Sequence, residues 1–280
     1  DRLAALHGPS VDTVELTSEV PAPVTRRYFL AASVAAATVV AGGLSWLAMR
    51  EEREIYLTGI GEVRRIPLAD GSTILLNTDT EVSVQLTDER RNIELRRGEA
   101  LFEVAHDKSR PFIVRANETA VRAVGTAFAV RLQAAQIDVT VTEGVVELSN
   151  SSTPETTNSP AVTDKPPAPR RLSANERAVI LPAAAPEVTA IPTPQLSRQL
   201  AWREGMVSFD GESLQLAASE INRHNRRQIV VDDPVLAQRP LVGVFRATDV
   251  EGFAQAAAAT LKARAVVTDH TIRLEPVQSP

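Results

Sequence analysis

Residues 137–142 read Ile-Asp-Val-Thr-Val-Thr and alternate apolar with polar side chains without exception. This period of two is typical of a β-strand with one buried face. The same alternation occurs in residues 81–86 (EVSVQL) and 93–96 (IELR), and the turn dipeptides Asp70-Gly71, Arg97-Gly98 and Glu143-Gly144 separate the runs. Residues 55–148 therefore predict an all-β domain of about ten short strands, arranged as an antiparallel sandwich or barrel-like sheet.

A different pattern begins at residue 200. Leu214, Ala217, Ala218 and Ile221 have the spacing of one helix face, and the same spacing recurs in residues 250–261. The second helix follows Thr248-Asp249-Val250-Glu251, which has the form of a capping box. Short strands are predicted on both sides of each helix. Residues 200–276 therefore predict a small α+β domain of two βαβ units.

Prolines mark the segments between these domains, because nine of the 18 prolines lie between Pro154 and Pro194. Residues 149–170 are also rich in Ser and Thr and predict a disordered linker, since they bury too little apolar area to offset their ordering entropy. Residues 182–199 predict a second, Pro-rich linker. Between the two linkers, residues 171–181 predict a short hairpin that returns to the β domain.

Residues 28–49 (YFLAASVAAATVVAGGLSWLAM) contain no charged side chain. A helix of this length covers about 33 Å and spans a bilayer core of about 30 Å. A single transmembrane helix is therefore predicted, with a cleaved signal peptide as the alternative. Both place residues after 50 outside the cytoplasm.

The residues before this segment resemble a twin-arginine export signal, with Arg26, Arg27, Phe29 and Leu30 at the matching positions. The alternative is an ordinary pair of arginines at the cytoplasmic membrane face. In both interpretations residues 1–27 are a cytoplasmic tail.

The composition of the 280 residues excludes several classes of function. The absence of cysteine excludes disulfides, thiolate metal sites and cysteine nucleophiles. The net charge of −5 argues against a nucleic-acid binder. The four histidines lack the spacing of metal ligands, and the adjacency of His106 and Asp107 does not make a catalytic triad. We therefore expect no metal, no cofactor, no direct nucleic-acid partner and no conventional enzyme.

Two candidate sites remain. Gly125-Thr126 is a dipeptide in which the threonine hydroxyl can attack the preceding carbonyl, although a glycine at a β-bulge is the alternative interpretation. Arg223, Arg226 and Arg227 form a basic cluster near the end of a predicted helix. This cluster either complements the helix dipole or docks an acidic partner surface.

Several strings occur in a fixed order across residues 56–148. They are Leu68-Ala69-Asp70-Gly71-Ser72, Asn77, Arg91, Gly98-Glu99-Ala100-Leu101-Phe102-Glu103-Val104, Arg110-Pro111-Phe112, Val124-Gly125-Thr126-Ala127-Phe128-Ala129-Val130-Arg131 and Val141-Thr142-Glu143-Gly144-Val145-Val146. Together they resemble the FecR family of transmembrane sigma-factor regulators. Through Trp202-Arg203-Glu204-Gly205, Phe209, Leu214 and Ile221-Asn222-Arg223, residues 202–275 are similar to the STN-type module that ends many members of that family.

The resemblance implies a single-pass protein of the bacterial inner membrane. Such a protein relays a signal from a TonB-dependent outer-membrane receptor, usually for an iron chelate, to an extracytoplasmic-function sigma factor. The C-terminal module contacts the signalling domain of the receptor, and periplasmic and intramembrane proteases release the sigma factor. Some members cleave themselves at the bond that matches Gly125-Thr126. An envelope-binding or scaffold protein without sigma control is the alternative function.

The resemblance also concerns the start of the chain. Family members have a longer helical sigma-binding domain before the membrane, whereas only 27 residues precede the apolar segment here. We therefore expect the sequence to be a truncated form of a longer protein.

Overall fold

The computed structural model describes residues 53–134, 136–150, 169–182 and 184–277. The cytoplasmic tail, the export signal and the transmembrane helix predicted above lie outside these residues, as does most of the 149–170 linker. Within the described ranges, no helix is long and apolar enough to cross a membrane.

The first part of the described chain is built from strands, as the alternation predicts. Between residues 54 and 150 the described residues form ten of them, and three more follow before residue 191. They are β1 (Glu54–Leu57), β2 (Arg64–Pro67), β3 (Thr73–Leu76), β4 (Glu81–Leu86), β5 (Arg91–Glu103), β6 (Phe112–Ala116), β7 (Thr119–Ala123), β8 (Ala127–Gln133), β9 (Gln136–Glu143), β10 (Val145–Asn150), β11 (Arg170–Ser173), β12 (Glu176–Ile180) and β13 (Glu187–Ala190).

The long strand β5 belongs to two sheets. Its first half pairs with β4 and β6, and its second half pairs with β3 and β8. The first sheet has the order β1-β4-β5-β6-β7-β10-β11, and the second has the order β2-β3-β5-β8-β9-β12-β13. Because β5 is continuous, the two sheets form one nearly closed, barrel-like structure around a shared apolar core. We call this structure the β-sandwich.

Gly98 is the point at which β5 passes from one sheet to the other. Its φ is +87°, a conformation that L residues other than glycine rarely adopt, and a Cβ there would lie 2.7 Å from the carbonyl oxygen of Asp79. Among the described strands of the β-sandwich the pairing is antiparallel except between β5 and β6, which run parallel. The core between the sheets is centred on Phe102, Phe112 and Phe128.

The predicted hairpin at residues 171–181 returns to the β-sandwich, but it is not a hairpin. Strand β11 pairs with β10 and strand β12 pairs with β9, so the two strands lie in different sheets. On either side of β10 and β11 the chain crosses from one sheet to the other, at Gly144 (φ +81°) and at Asn175 (φ +63°). The prediction failed because β11 and β12, although adjacent in sequence, each pair with a strand of a different sheet and do not pair with each other.

The segment 182–199 is more ordered than a Pro-rich linker. It contains β13 and helix α1 (Thr193–Gln199), and a 3₁₀ helix (Ala201–Glu204) follows. Pro194 lies in the first turn of α1, where a missing N–H costs nothing. The buried apolar side chains of this segment pack on the outer face of the second sheet. They are Ile191, Leu196, Leu200 and Trp202, against Leu75, Leu101 and Ala129.

The remaining residues form a second apolar core, which we call the C-terminal module (residues 206–276). Strands and helices alternate in it as the sequence predicts. They are β14 (Met206–Ser213), α2 (Leu214–Arg223), β15 (Gln228–Val231), α3 (Pro234–Ala237), β16 (Pro240–Arg246), α4 (Val250–Leu261), β17 (Ala263–Val267) and β18 (Thr271–Pro276).

The prediction of two βαβ units is wrong. Strand β14 pairs antiparallel with β16, whereas β15, β18 and β17 form a separate sheet. The two strands that flank each helix therefore lie in different sheets. Periodicity reports which face of a strand is buried, but not which strand it pairs with. The cap of α4 also differs, because Asp249 rather than Thr248 accepts the bond from Gly252 N, at 2.9 Å.

Candidate functional site

A buried ion pair joins two of the motifs in the β-sandwich. Arg91 Nη1 lies 3.0 Å from Asp70 Oδ2, and the two side chains are only 1% and 3% exposed. Burial alone would raise the pKa of Asp70, but hydrogen bonds from Ser72 and Arg91 outweigh it and hold that pKa below its ordinary value. Arg91 also donates to the backbone carbonyls of Ala105, Asp107 and Arg110. This cluster therefore fixes the ends of three loops and has a structural role.

Gly125 and Thr126 form the bend between β7 and β8. Asp107 N donates to Val124 O at 3.0 Å, and Val104 N donates to Thr126 O at 2.9 Å, so that both sides of the bend are anchored. Thr126 is 7% exposed, and its Oγ1 has no hydrogen-bond partner among the described residues. The Thr126 hydroxyl, which the sequence indicates as a candidate nucleophile, is thus buried and makes no hydrogen bond among the described residues.

Close packing leaves no room for side chains at two glycines, Gly125 in this bend and Gly144 between β9 and β10. A Cβ on Gly125 would collide with the imidazole of His106. A Cβ on Gly144 would lie 2.7 Å from Thr126 Cγ2 and 3.3 Å from the carbonyl oxygen of Gly125. The Gly125 carbonyl, at which self-cleavage would occur, therefore lies close to Gly144. The His106 imidazole packs against Gly125.

Asp107 does not assist His106 in the manner of a triad. Its carboxylate accepts hydrogen bonds from Ser109 Oγ at 2.6 Å and from Arg110 Nε at 3.0 Å. Hydrogen bonds from Ser109 and Arg110 hold the pKa of Asp107 well below its ordinary value. The structure therefore brings His106 to Gly125, but leaves Asp107 engaged elsewhere.

The basic cluster at the end of α2 is divided by the fold. Arg223 donates to Glu99 at 3.0 Å and to Glu220 at 2.6 Å, so its guanidinium is occupied within the chain. Arg227 pairs with Glu251. The side chain of Arg226 is exposed and makes no hydrogen bond or ion pair within the described part of the chain.

Arg223 belongs to a charged network between the β-sandwich and the C-terminal module. Glu99, on β5, also accepts a hydrogen bond from Asn77 Nδ2 at 2.9 Å. Arg131, on β8, pairs with Glu220 at 2.9 Å. We call Glu99, Arg131, Glu220 and Arg223 the junction network. Two of its members come from each side, and two of its three ion pairs, Arg131–Glu220 and Arg223–Glu99, cross between the β-sandwich and the module.

Burial and charge shift the pKa values at this junction. Burial alone would raise the pKa of Glu220, but Arg223 and Arg131 outweigh it and hold that pKa below its ordinary value. Burial would lower the pKa of Arg223, but Glu99 and Glu220 raise it above its ordinary value.

His224 is the buried neutral group of the junction. Its side chain is 1% exposed, and neither ring nitrogen has a hydrogen-bond partner among the described residues. Burial, partly opposed by Glu220, lowers its pKa from 6.5 to about 4.

Comparison with known proteins gives a family for the strand-rich part. Residues 54–147 match the family model described as FecR protein. We call these matched residues the FecR domain. The matched residues run from β1 into β10 and include the Asp70–Arg91 pair, Glu99 and the Gly125-Thr126 bend.

Two similar crystal structures extend the comparison beyond the FecR domain. Both are of a protein from Parabacteroides distasonis ATCC 8503 that is proposed to be an anti-sigma factor, at 2.50 and 1.65 Å resolution. They are 22% and 23% identical to this chain, cover 81% and 80% of it and all of their own length, and each has a TM-score of 0.63. No curated protein matches the chain in sequence. At this identity the likeness shows a shared fold.

Sequence reasoning missed two features that the structure reveals around the FecR domain. The contact of His106 with Gly125 joins separate loops, and the Glu99–Arg223 pair joins residues 124 positions apart. Glu99 was visible only as part of a motif, and Arg223 only as part of a basic cluster. In the described residues, no cluster of three or more His, Cys, Asp or Glu is arranged to hold a metal ion.

Proposed function

We propose that this protein regulates a sigma factor, as an anti-sigma protein of the FecR type. The observation that carries the proposal is the FecR domain at residues 54–147. The proposed anti-sigma role of the structural relatives supports it, since their fold covers about four fifths of this chain. In this proposal the sigma factor is the cytoplasmic partner, and the described residues are the sensory part.

The sequence before the described residues supports a location in the bacterial inner membrane. Residues 28–49 are uncharged and Arg26 and Arg27 precede them, so we propose a single span with a cytoplasmic N-terminus and a periplasmic FecR domain.

The C-terminal module offers a surface for an outer-membrane receptor. Strands β14 and β16 form a two-stranded sheet, and Val242 and Val244 on β16 are 68% and 62% exposed. A contiguous exposed apolar patch is typical of an interaction surface, and these two valines are neighbours on one strand. In the proposal this face contacts the signalling domain of a TonB-dependent receptor, and proteolysis of the regulator then releases the sigma factor.

Exposed valines allow this contact to be tested without disturbing a core. The full chain would be purified from membranes together with the receptor signalling domain, as wild type and as Val242→Glu/Val244→Glu. The matched control is Val267→Glu on β17, which is 58% exposed on the other sheet. Loss of the complex in the double variant alone supports the docking face. Undiminished binding by a chain that lacks residues 200–276 rejects it.

Sigma control needs a separate test in cells. Transcripts would be compared between cells with and without the gene, and again in cells that also lack a candidate sigma factor. The proposal expects one set of genes to respond to the regulator only while that sigma factor is present. A response that persists without the sigma factor contradicts the proposal.

Self-cleavage at Gly125-Thr126 is a further part of the proposal. The Thr126 hydroxyl oxygen adds to the Gly125 carbonyl carbon, the C–N bond breaks, and the hydroxyl proton is transferred to the Thr126 nitrogen. Water then hydrolyses the resulting ester and leaves a carboxylate on Gly125 and a free amine on Thr126. The unpartnered hydroxyl and the tightly packed bend support this chemistry.

Intact-mass spectrometry of the purified chain tests the cleavage. Thr126→Ala removes the nucleophile and should yield only the uncut chain, whereas Thr126→Ser keeps a hydroxyl and should yield both fragments. Thr140→Ala is a matched control, since Thr140 is also 7% exposed. Two fragments from the Thr126→Ala chain would refute self-cleavage at this bond.

A further inference from the structure

A cavity of about 370 Å³ lies between the β-sandwich and the C-terminal module. Its wall includes β8, β9 and β12 of the β-sandwich, helix α1, which packs on the β-sandwich, and β14 and α2 of the module. This volume falls within the range of about 300–1,000 Å³ that is typical of small-molecule sites. The cavity adjoins the junction network, because Glu99, Arg131 and Glu220 are part of its wall.

The charges in the cavity wall are already compensated within the protein. Arg131 pairs with Glu220, Arg177 pairs with Asp138 at 2.6 Å, and Arg198 pairs with Asp210 at 3.1 Å. Every arginine of the wall thus has a carboxylate partner, whereas Glu212 adds a further acidic side chain. An anionic ligand would meet no uncompensated positive charge among the described residues.

Two buried donors in the wall lack acceptors. Trp202 is 3% exposed, and its Nε1 has no hydrogen-bond partner in the described ranges. The Nε of Arg131 is buried and unpartnered in the same way, although the Nη2 of that guanidinium reaches Glu220. A buried N–H without an acceptor is unfavourable, and native structures rarely leave one without a reason. A ligand oxygen would satisfy such donors.

The rest of the polar wall consists of uncharged side chains. The amides of Gln133, Gln195 and Gln199 make no side-chain hydrogen bond within the described part of the protein. Three hydroxyls, from Thr140, Ser208 and Ser219, add further donors and acceptors. Amides and hydroxyls can each donate and accept, so the wall matches a ligand whose own groups do both.

We infer that this cavity binds a small neutral polyhydroxylated ligand, such as a mono- or disaccharide. Its hydroxyl oxygens accept from Trp202 Nε1 and Arg131 Nε, and its hydroxyl groups exchange hydrogen bonds with the glutamine amides. Because both sides of the junction line the cavity, an occupied site ties the FecR domain to the C-terminal module. Binding of this small molecule would be a function in addition to the proposed sigma control, which does not depend on it.

Titration calorimetry on the full chain tests the inference. The probes are N-acetylglucosamine, its β-1,4-linked dimer, and citrate as an anionic probe. We expect at least one of the two saccharides to bind and citrate to bind more weakly. Failure of both saccharides to bind at millimolar concentration, or tighter binding of citrate, overturns the inference.

Substitutions in the wall locate the site. Trp202→Phe keeps an aromatic ring but removes the Nε1–H, and it should weaken saccharide binding about fivefold. Gln195→Ala/Gln199→Ala should weaken it by a similar factor. Gln238→Ala, at an exposed position away from the cavity, should leave the affinity unchanged. Unchanged affinity in both wall variants would place the saccharide elsewhere and refute this site.

The fold of each variant is checked by circular dichroism, so that a loss of binding is not mistaken for unfolding. The binding readout involves neither the sigma factor nor the receptor. A negative result therefore leaves sigma control standing, and a failure of sigma control leaves the cavity assignment standing.

Discussion

The FecR domain and the C-terminal module differ in how their buried charges are paired. In the FecR domain, Asp70 and Arg91 pair with each other and are almost wholly enclosed. In the module, Arg223 and Glu220 contact one another but also reach across to Glu99 and Arg131. The FecR domain thus compensates its deepest charges internally, whereas the module depends on a neighbour for part of this compensation. The stability of the module should therefore depend on its contact with the FecR domain.

The strongest test of this difference is Arg91→Leu. The substitution leaves the Asp70 carboxylate buried without its cation, and we expect a loss of about 3–5 kcal/mol in the free energy of unfolding. Urea unfolding of the purified chain, followed by circular dichroism, measures it. Asp70→Asn/Arg91→Leu should recover part of the loss, because the stranded charge is gone. A loss below about 1 kcal/mol for Arg91→Leu would contradict the internal compensation.

A smaller effect is expected from the pH dependence of stability at the junction. The folded chain keeps His224 neutral down to about pH 4, whereas the unfolded chain protonates it near pH 6.5. The unfolded state therefore binds more protons between these values, and stability falls as the pH is lowered from 6.5 to 4. The expected loss is about 3 kcal/mol over this range, and only a small further loss, about 0.4 kcal/mol, occurs above pH 6.5.

His224→Phe serves as the matched variant for this measurement. It should remove most of the slope between pH 6.5 and 4.5, where the lowered pKa of Glu220 does not contribute. An identical slope in the wild type and the variant would exclude His224 as its source.

Arg223→Met breaks the contact that crosses the junction. We expect a loss of about 2 kcal/mol, less than for Arg91, because the Arg223 side chain is 20% exposed and water can partly replace it. Hydrogen exchange should rise in the module more than in the FecR domain. Arg226→Met, at an exposed and unpaired side chain of the same cluster, should change neither quantity. Equal effects of the two substitutions would mean that the junction network does not stabilise the module.

The smallest expected effect is confined to the module. Asp249→Ala removes the side chain that caps α4, and we expect a loss of about 1 kcal/mol. Thr248→Ala should cost less, because Thr248 is not the capping residue. Thermal unfolding of the two variants measures the difference, and the reverse order would restore the capping box that the sequence suggests.

The strands and helices were predictable because each depends on a local period. Residues 137–142 alternate and lie in β9, and the apolar faces at 214–221 and 250–261 lie in α2 and α4. Sheet membership was not predictable, because it depends on edges brought together by the whole fold. Gly98 illustrates this, since its sequence context suggests a turn, whereas it lies within β5 at the passage between two sheets.

The residues of the candidate site could be chosen from the sequence, but their surroundings could not be predicted from it. Gly125 and Thr126 attract attention because of their residue types, and the resemblance strengthens the case. That His106 packs on Gly125 and that Gly144 makes room for Thr126 follow only from tertiary structure. The role of Arg223 could not be predicted either, because its partner Glu99 belongs to a different part of the chain.

The position of the Gly125-Thr126 bond between β7 and β8 has a consequence for signalling. A cut there would leave β8 hydrogen-bonded to β5, and β10 hydrogen-bonded to β7. The two fragments would be interleaved in both sheets, so hydrolysis alone would not separate them. The cut chain would behave as a split protein, intact at rest but separable by a pulling force that an uncut chain would resist. After such a cut, the hydrogen bonds between paired strands, and no longer a covalent bond, would hold the two fragments together.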